Sequence, residues 1–192
     1  MKDMINKFDT TTQEVLQELE KTQKEFWNVS RATGEFLNIL TREQNAQNVL
    51  EIGTSNGYSG IWIGKAVKET GGKLKTIEFW EKRFSIAQEN FKKCGVDDCI
   101  EIVQGSALEV LELLPEDYVI DFAFIDANKT EYVDYFKLID KHLRVGGLVA
   151  CDNVLSHEEK CKPFIDEINS RPNYHNVVLR LPAGLSLARK LS

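Results

Sequence analysis

Three oxygen-bearing side chains stand directly after two apolar runs that read as β-strands. Asp126 follows Ile120-Asp121-Phe122-Ala123-Phe124-Ile125, and Asp152-Asn153 follows Leu148-Val149-Ala150-Cys151. Adjacent parallel strands deliver their C-terminal tips to one crevice, so two carboxylates and an amide oxygen converge there although Asp126 and Asp152 lie 26 positions apart. Hard oxygen donors with room left for water and substrate suit magnesium, manganese or calcium, whereas zinc takes His and Cys. Two carboxylates held together without a cation would raise at least one pKa, which favours a metal over the local alternative that Asp and Asn simply end strands and cap turns. Lys129, three residues past Asp126, is near enough to act as a base or to steer charge at the same centre, although taken alone it reads as a surface lysine. His142, on a helix face, and His157, in the loop after Asn153, receive no role.

A second constellation surrounds an earlier strand. Glu51-Ile52-Gly53-Thr54-Ser55-Asn56-Gly57-Tyr58-Ser59 places two glycines in a loop of small residues, so the chain turns sharply and backbone amides can approach a ligand at the next helix N-terminus. The Gly-x-x-x-Gly spacing departs from the Gly-x-Gly-x-x-Gly of dinucleotide sites, and Glu51 suits a ligand bearing an ammonium group better than a pyrophosphate. The next strand ends at Glu78, which either holds the two hydroxyls of a ribose or stands as a solvated acid at a strand end. After the third strand, Gln104-Gly105-Ser106-Ala107 either admits an adenine edge or caps a helix through Ser106.

The elements that must position these residues follow from periodicity. From residue 48 onward, short β-branched or apolar runs alternate with helical patterns, the mark of parallel strands joined by crossover helices. Strands are expected at Asn48 to Ile52, Lys73 to Ile77, Ile100 to Val103, Ile120 to Ile125, Leu148 to Cys151, His175 to Leu179 and Leu185 to Arg189. The last two are separated only by Arg180-Leu181-Pro182-Ala183-Gly184, too short for a crossover helix, so that pair is antiparallel. The expected fold is α/β and Rossmann-like: a seven-stranded, mostly parallel sheet with the last strand antiparallel and helices on both faces. Gly95 and Gly146-Gly147 read as helix stops. Residues 1–47 read as two helices extending a single domain that spans residues 1–192.

Composition sets outer bounds. A chain of 192 residues with 42% hydrophobic and 28% charged residues can build its own core. A net charge of −6 gives no overall field for nucleic acid and favours small substrates. Without a signal-like N-terminus or a long apolar run, we expect a cytoplasmic protein with no membrane partner. Cys94, Cys99, Cys151 and Cys161 form no Cys-x-x-Cys pair and read as reduced fillers.

Across residues 29 to 190 the sequence resembles the cation-dependent class I O-methyltransferases, the group of the caffeoyl-CoA and catechol O-methyltransferases. The likeness is carried by Val49 to Ser59, by Phe124-Ile125-Asp126-Ala127-Asn128-Lys129, and by Val145 to Asn153 with its closing Asp152-Asn153. The resemblance implies S-adenosyl-L-methionine as cofactor, contacted by Val29, Glu51, Gly53, Ser59, Glu78, Ser106, Ala107 and Asp126. Ser59 would then lie near the methionine carboxylate and Glu78 on the ribose. It implies a divalent cation on Asp126, Asp152 and Asn153, with Lys129 and Asp126 as catalytic residues, a small-molecule hydroxyl acceptor of the vicinal-diol type, and a homodimer. Two departures bear on the acceptor pocket: the loop after Asn153 is shorter than usual, and the family's Gly-Asp-Gly turn before the last strand is reduced to Ala183-Gly184. Rival readings are a tRNA hydroxyuridine O-methyltransferase of the same family, a catalytically silent cofactor-binding protein, and a nicotinamide-dependent oxidoreductase, which the loop spacing disfavours.

Overall fold

All seven expected strands form one sheet in a computed structural model that describes residues 4–192. They are β1 (Asn48–Ile52), β2 (Lys73–Glu78), β3 (Ile100–Gln104), β4 (Ile120–Ile125), β5 (Leu143–Cys151), β6 (Tyr174–Leu179) and β7 (Leu185–Lys190). The order across the sheet is β3-β2-β1-β4-β5-β7-β6. The β1, β2, β3, β4 and β5 pairings are parallel, and β7 runs antiparallel to both β5 and β6, as the short 180–184 connection requires.

Both faces of the central strands are covered, which is why these strands read as nearly continuous apolar runs. Val49, Phe122, Phe124, Leu148 and Ala150 enter one apolar cluster, while Leu50, Ile52, Ala123, Ile125, Val149 and Cys151 enter the other, following the two-residue period of a strand. The first cluster is completed by α1 (Thr10–Lys21), α3 (Arg31–Glu43), α4 (Tyr58–Thr70) and α5 (Glu81–Lys93) through Leu16, Leu37, Trp62 and Phe91. The second is completed by α6 (Ala107–Glu112), α7 (Tyr132–His142) and α8 (Glu158–Ser170) through Leu111, Phe136 and Phe164. No helix among the described residues is long and apolar enough to cross a membrane.

Two local expectations are corrected. The segment before β1 carries, besides α1 and α3, a 3-10 turn (Met4–Lys7) and the four-residue α2 (Gln23–Phe26), so it holds more than two helices. Gly146 and Gly147 are not a helix stop: α7 ends at His142 and the chain passes straight into β5 at Leu143. The two glycines lie where the β4–β5 register shifts, with Gly146 at φ 80° and a Cβ on Gly147 only 2.9 Å from the Arg144 carbonyl oxygen. They serve an irregular strand, which demands glycine as firmly as a helix end does. Gly95, at φ 63° just past α5, does end its helix.

Candidate functional site

The register of the sheet aligns the candidate residues in one row. Ile52 pairs with Ile77 on one side and Ile125 on the other, and Ile125 pairs with Cys151, so Glu78, Gly53, Asp126 and Asp152 all emerge just past the paired positions. Backbone bonds carry the row one residue further: Gly53 N donates to Ile77 O (3.0 Å), Asp126 N to Ile52 O (2.9 Å) and Asp152 N to Ile125 O (3.0 Å). The order reverses between β1 and β4, and in open α/β sheets a ligand binds at the carboxyl ends beside such a switch.

A cavity of about 450 Å³ opens there, lined by Val29, Gly53, Ser59, Glu78, Ser106, Ala107, Asp126 and Lys129 among others. Gly53 is required by two constraints at once: its φ is +98°, and a Cβ would sit 2.1 Å from the Asp126 carbonyl oxygen. Ser106 occupies the N-cap position of α6 without a capping bond from its side chain, which leaves its hydroxyl available to the cavity.

Glu78 is held before any ligand arrives. One carboxylate oxygen accepts from Ser55 N (2.7 Å) and the other from Trp80 N (2.9 Å), which locks the group at the β2 tip with remaining lone pairs toward the cavity. Glu78→Ala is expected to weaken S-adenosylmethionine binding by roughly 1.5–3 kcal/mol, the scale of hydrogen bonds to a charged group. Calorimetric titration checks this, and an unchanged dissociation constant would count against Glu78 as a ribose ligand.

Glu51 lies elsewhere. It is fully buried and outside the cavity lining, accepting bonds from Ser59 Oγ and Thr76 Oγ1, both at 2.6 Å, while Thr54 and Thr76 hydroxyls bond at 2.6 Å behind it. Burial pushes its carboxyl up to about 7, against the lowering effect of the two hydroxyls and with added repulsion from Asp126 and Glu78. A carboxyl that holds its proton more tightly folded than unfolded contributes stability that is complete below the ordinary value of 4.5 and is lost as pH rises to about 7. Glu51→Gln should therefore match wild type near pH 4.5 and exceed it at higher pH by on the order of 3 kcal/mol, the worth of a shift of that size. Denaturant midpoints across that range test the sign, and a variant less stable than wild type above neutrality would refute it.

The metal candidates divide between wall and interior. Asp126 lines the cavity, and its Oδ1 accepts from Lys129 Nζ at 3.0 Å. Asp152 is 1% exposed and outside the lining; its Oδ1 is buried with no hydrogen-bond partner among the described residues, and burial followed by repulsion from Asp126 raises its pKa. Asn153 adopts φ 69°, a left-handed turn that Asn tolerates better than most residues, with Nδ2 3.4 Å from Ser156 Oγ. Among the described residues no group of three His, Cys, Asp or Glu side chains is placed to hold a metal, and Asp126 and Asp152 are the two carboxylates at these tips. His157 pairs with Ser156 Oγ, and His142 Nδ1 lies 3.1 Å from Tyr118 O.

The two departures from the family pattern prove to be in contact. Val154 N donates to Gly184 O, while Leu155 N and Ser156 N donate to Ala183 O. A Cβ on Gly184 would lie 2.3 Å from Leu155 Cγ. The shortened loop is thus seated on the reduced turn, each fitted to the other. Sequence reasoning missed the other side of the cavity, where Trp27, Phe79, Trp80 and Arg83 also line the wall. The pair of aromatics following Glu78 was a readable signal for that rim, but nothing in the sequence joined Trp27 to Arg83.

A sheet of this order with its seventh strand reversed, carrying a glycine turn, an acid and small residues at its first three strand tips, defines the class I S-adenosylmethionine-dependent methyltransferases. The profile of the O-methyltransferase family matches residues 6–190. A catechol O-methyltransferase of Niastella koreensis is 35% identical over 76% of this chain, a match spanning 64% of that protein. Caffeoyl-CoA O-methyltransferase 2 of Populus trichocarpa is 36% identical over 93% of this chain and 82% of its own length. The solved O-methyltransferase from Bacillus cereus in complex with SAH superposes with a TM-score of 0.85 at 31% identity, covering 95% of this chain and 91% of that one. The chain belongs to the O-methyltransferase family.

Proposed function

We propose that this methyltransferase depends on a divalent cation, magnesium or else manganese or calcium, and methylates one hydroxyl of a compact vicinal diol of catechol or caffeoyl type. The observation that carries the proposal is the Asp152 carboxylate, buried beside Asp126 with one oxygen that no donor among the described residues reaches. A buried carboxylate with one oxygen left unbonded is costly to ionise, and Lys129 hydrogen-bonds Asp126 instead. Asp126, Asp152 and Asn153 are all hard oxygen donors and would hold the cation. When bound, the cation supplies Lewis acidity toward an acceptor hydroxyl, and S-adenosylmethionine supplies an activated methyl group.

The remaining tasks fall to this chain's own side chains. Lys129 Nζ, on the cavity wall, would stabilise the oxyanion as the ammonium that Asp126 pairs with, and only as the free amine would it accept the acceptor's proton. Glu78 and the α4 N-terminus beyond Gly57 fix the cofactor's two ends, and alignment of two reactants in this manner removes much of the entropy that opposes their encounter. The names of the catechol and caffeoyl-CoA relatives support the diol class. The short loop seated on Ala183-Gly184 leaves few walls around the acceptor, so the two hydroxyls of an asymmetric catechol should exchange places and yield both products.

The test is methyl transfer to a panel of catechols, caffeoyl-type thioesters and bulk tRNA. Transfer to vicinal diols with mixed regiochemistry is expected, and a single product would mean that the pocket is walled. Transfer to tRNA alone would replace the diol reading, a reading favoured by Trp27, Phe79 and Trp80, which stand exposed at the rim and could stack a base.

A further inference from the structure

A second cleft, of about 490 Å³, lies over the outer strands and shares no lining residue with the cavity of Asp126 and Glu78. Val145, Leu148, Val177, Leu187, Leu191 and Arg189 are among the residues that form it. Val145 stands seven positions before Asp152, roughly 20 Å at the rise of a strand, so the cleft opens toward the other end of β5. Its floor follows from the register: Leu148 pairs with Arg189 and Arg189 with His175, while Ala150 pairs with Leu187 and Leu187 with Val177, which puts these side chains on one face. Lys190 turns to the opposite face, where Nζ donates to Asp140 O at 2.7 Å. On the cleft's own face the outer strands lie open, with Val145, Val177 and Leu191 59%, 44% and 52% exposed.

Two cations are gathered over Gly146. A Cβ there would lie 3.3 Å from one guanidinium nitrogen of Arg144 and 3.6 Å from one of Arg189, so both groups flank the same point. Arg144 is neutralised by Asp121 and also reaches Gln44 Oε1 at 3.4 Å. The Arg189 guanidinium has no acceptor among the described residues, and no Asp or Glu lines the cleft. In a chain of net charge −6, an arginine beside a second arginine and a histidine is thus a local positive charge without its complement.

We propose that this cleft binds a small amphipathic carboxylate, its anionic head on Arg189 beside Gly146 and its aliphatic chain across Val145, Leu187 and Val177. A guanidinium presents paired N–H donors that match a carboxylate. The floor is Val and Leu with no Phe, Tyr or Trp on which a planar ligand would stack, which selects an aliphatic body. The volume falls in the ~300–1,000 Å³ range of small-ligand sites. A second copy of the chain is a poor occupant, because a two-fold contact centred here sets the patch against itself, and a lining with cations and no acid would meet only like charge.

The probe is octanoate, titrated into the whole protein and followed by amide and methyl NMR, with octanol and acetate as controls for chain and head. Saturable shifts are expected at Val145, Val177, Leu187 and Leu191, and both controls should bind at least ~10-fold more weakly. Arg189→Gln should weaken octanoate about 10- to 100-fold, the range of a hydrogen bond to a charged group, and leave octanol within about twofold. Should that variant fold poorly, the wild type still decides: affinity must rise from hexanoate to decanoate, by up to about fourfold per methylene. No saturable shift, shifts confined to the first cavity, or equal binding of octanol would overturn the proposal. So would a response only to phosphatidylglycerol vesicles, or the same shifts on raising protein concentration alone, which would make this face a contact between copies.

Discussion

Asp152→Ala should abolish methyl transfer, by about 10³-fold or more, while leaving S-adenosylmethionine affinity within a few-fold. A metal that polarises the acceptor is worth several kcal/mol of transition-state stabilisation, and a donor set of two carboxylates and one amide cannot spare a carboxylate. Asp152 lies outside the lining that carries the candidate cofactor residues, so the expected contacts of those residues survive. Wild-type turnover should likewise vanish after exhaustive EDTA treatment and return with magnesium; undiminished turnover after chelation would sink the metal assignment. The same carboxylate predicts an opposite effect on the metal-free fold. Burial and Asp126 raise the Asp152 pKa, so ionised Asp152 costs stability near neutrality, and Asp152→Asn should raise the melting temperature of the metal-free protein.

Lys129→Met should slow the methyl-transfer step by about 10²–10⁴-fold, the range for loss of a general base, with little change in cofactor or acceptor binding. Methionine keeps the length and apolar stem of lysine while deleting the amine. The stem matters, because Lys129 Nζ lies 6.0 Å from the centre of the Tyr132 ring and its side chain is mostly buried. If Lys129 acts on the acceptor's proton, the defect must shrink as the acceptor hydroxyl becomes more acidic, since less assistance is then needed. Single-turnover rates for a series of ring-substituted catechols measure this directly. A defect independent of acceptor acidity would leave Lys129 only the task of pairing with Asp126.

Much of this architecture is legible because its signals are local. A strand covered on both faces must be apolar throughout, as in Ile120 to Ile125, and a strand tip must turn, so Asp126, Asp152 and Asn153 announce their positions in the chain. The reversed strand is equally forced, since five residues between β6 and β7 cannot cross back over the sheet. Where a local signal had two meanings the reading failed: Gly146-Gly147 after a helical run suits a helix stop, yet the helix had ended at His142 and the glycines serve a register shift.

The sequence by itself determined which residue types stand at the strand tips, because alternation and turn chemistry act over a few residues. Only the tertiary structure decided what each tip faces. Glu51 precedes the glycine turn as a ligand-binding acid would, but its side chain points under the first helical layer to Ser59 and Thr76, a consequence of strand parity and of α4 packing above it. The orphan oxygen of Asp152 was equally invisible, since a missing partner is a property of everything packed around an atom. So too was the wall of Trp27 and Arg83, brought together from α1–α3 and α5 by burial of Leu16, Leu37 and Phe91 in one cluster. Such contacts join residues more than fifty positions apart, and no local rule of propensity or spacing reaches that far.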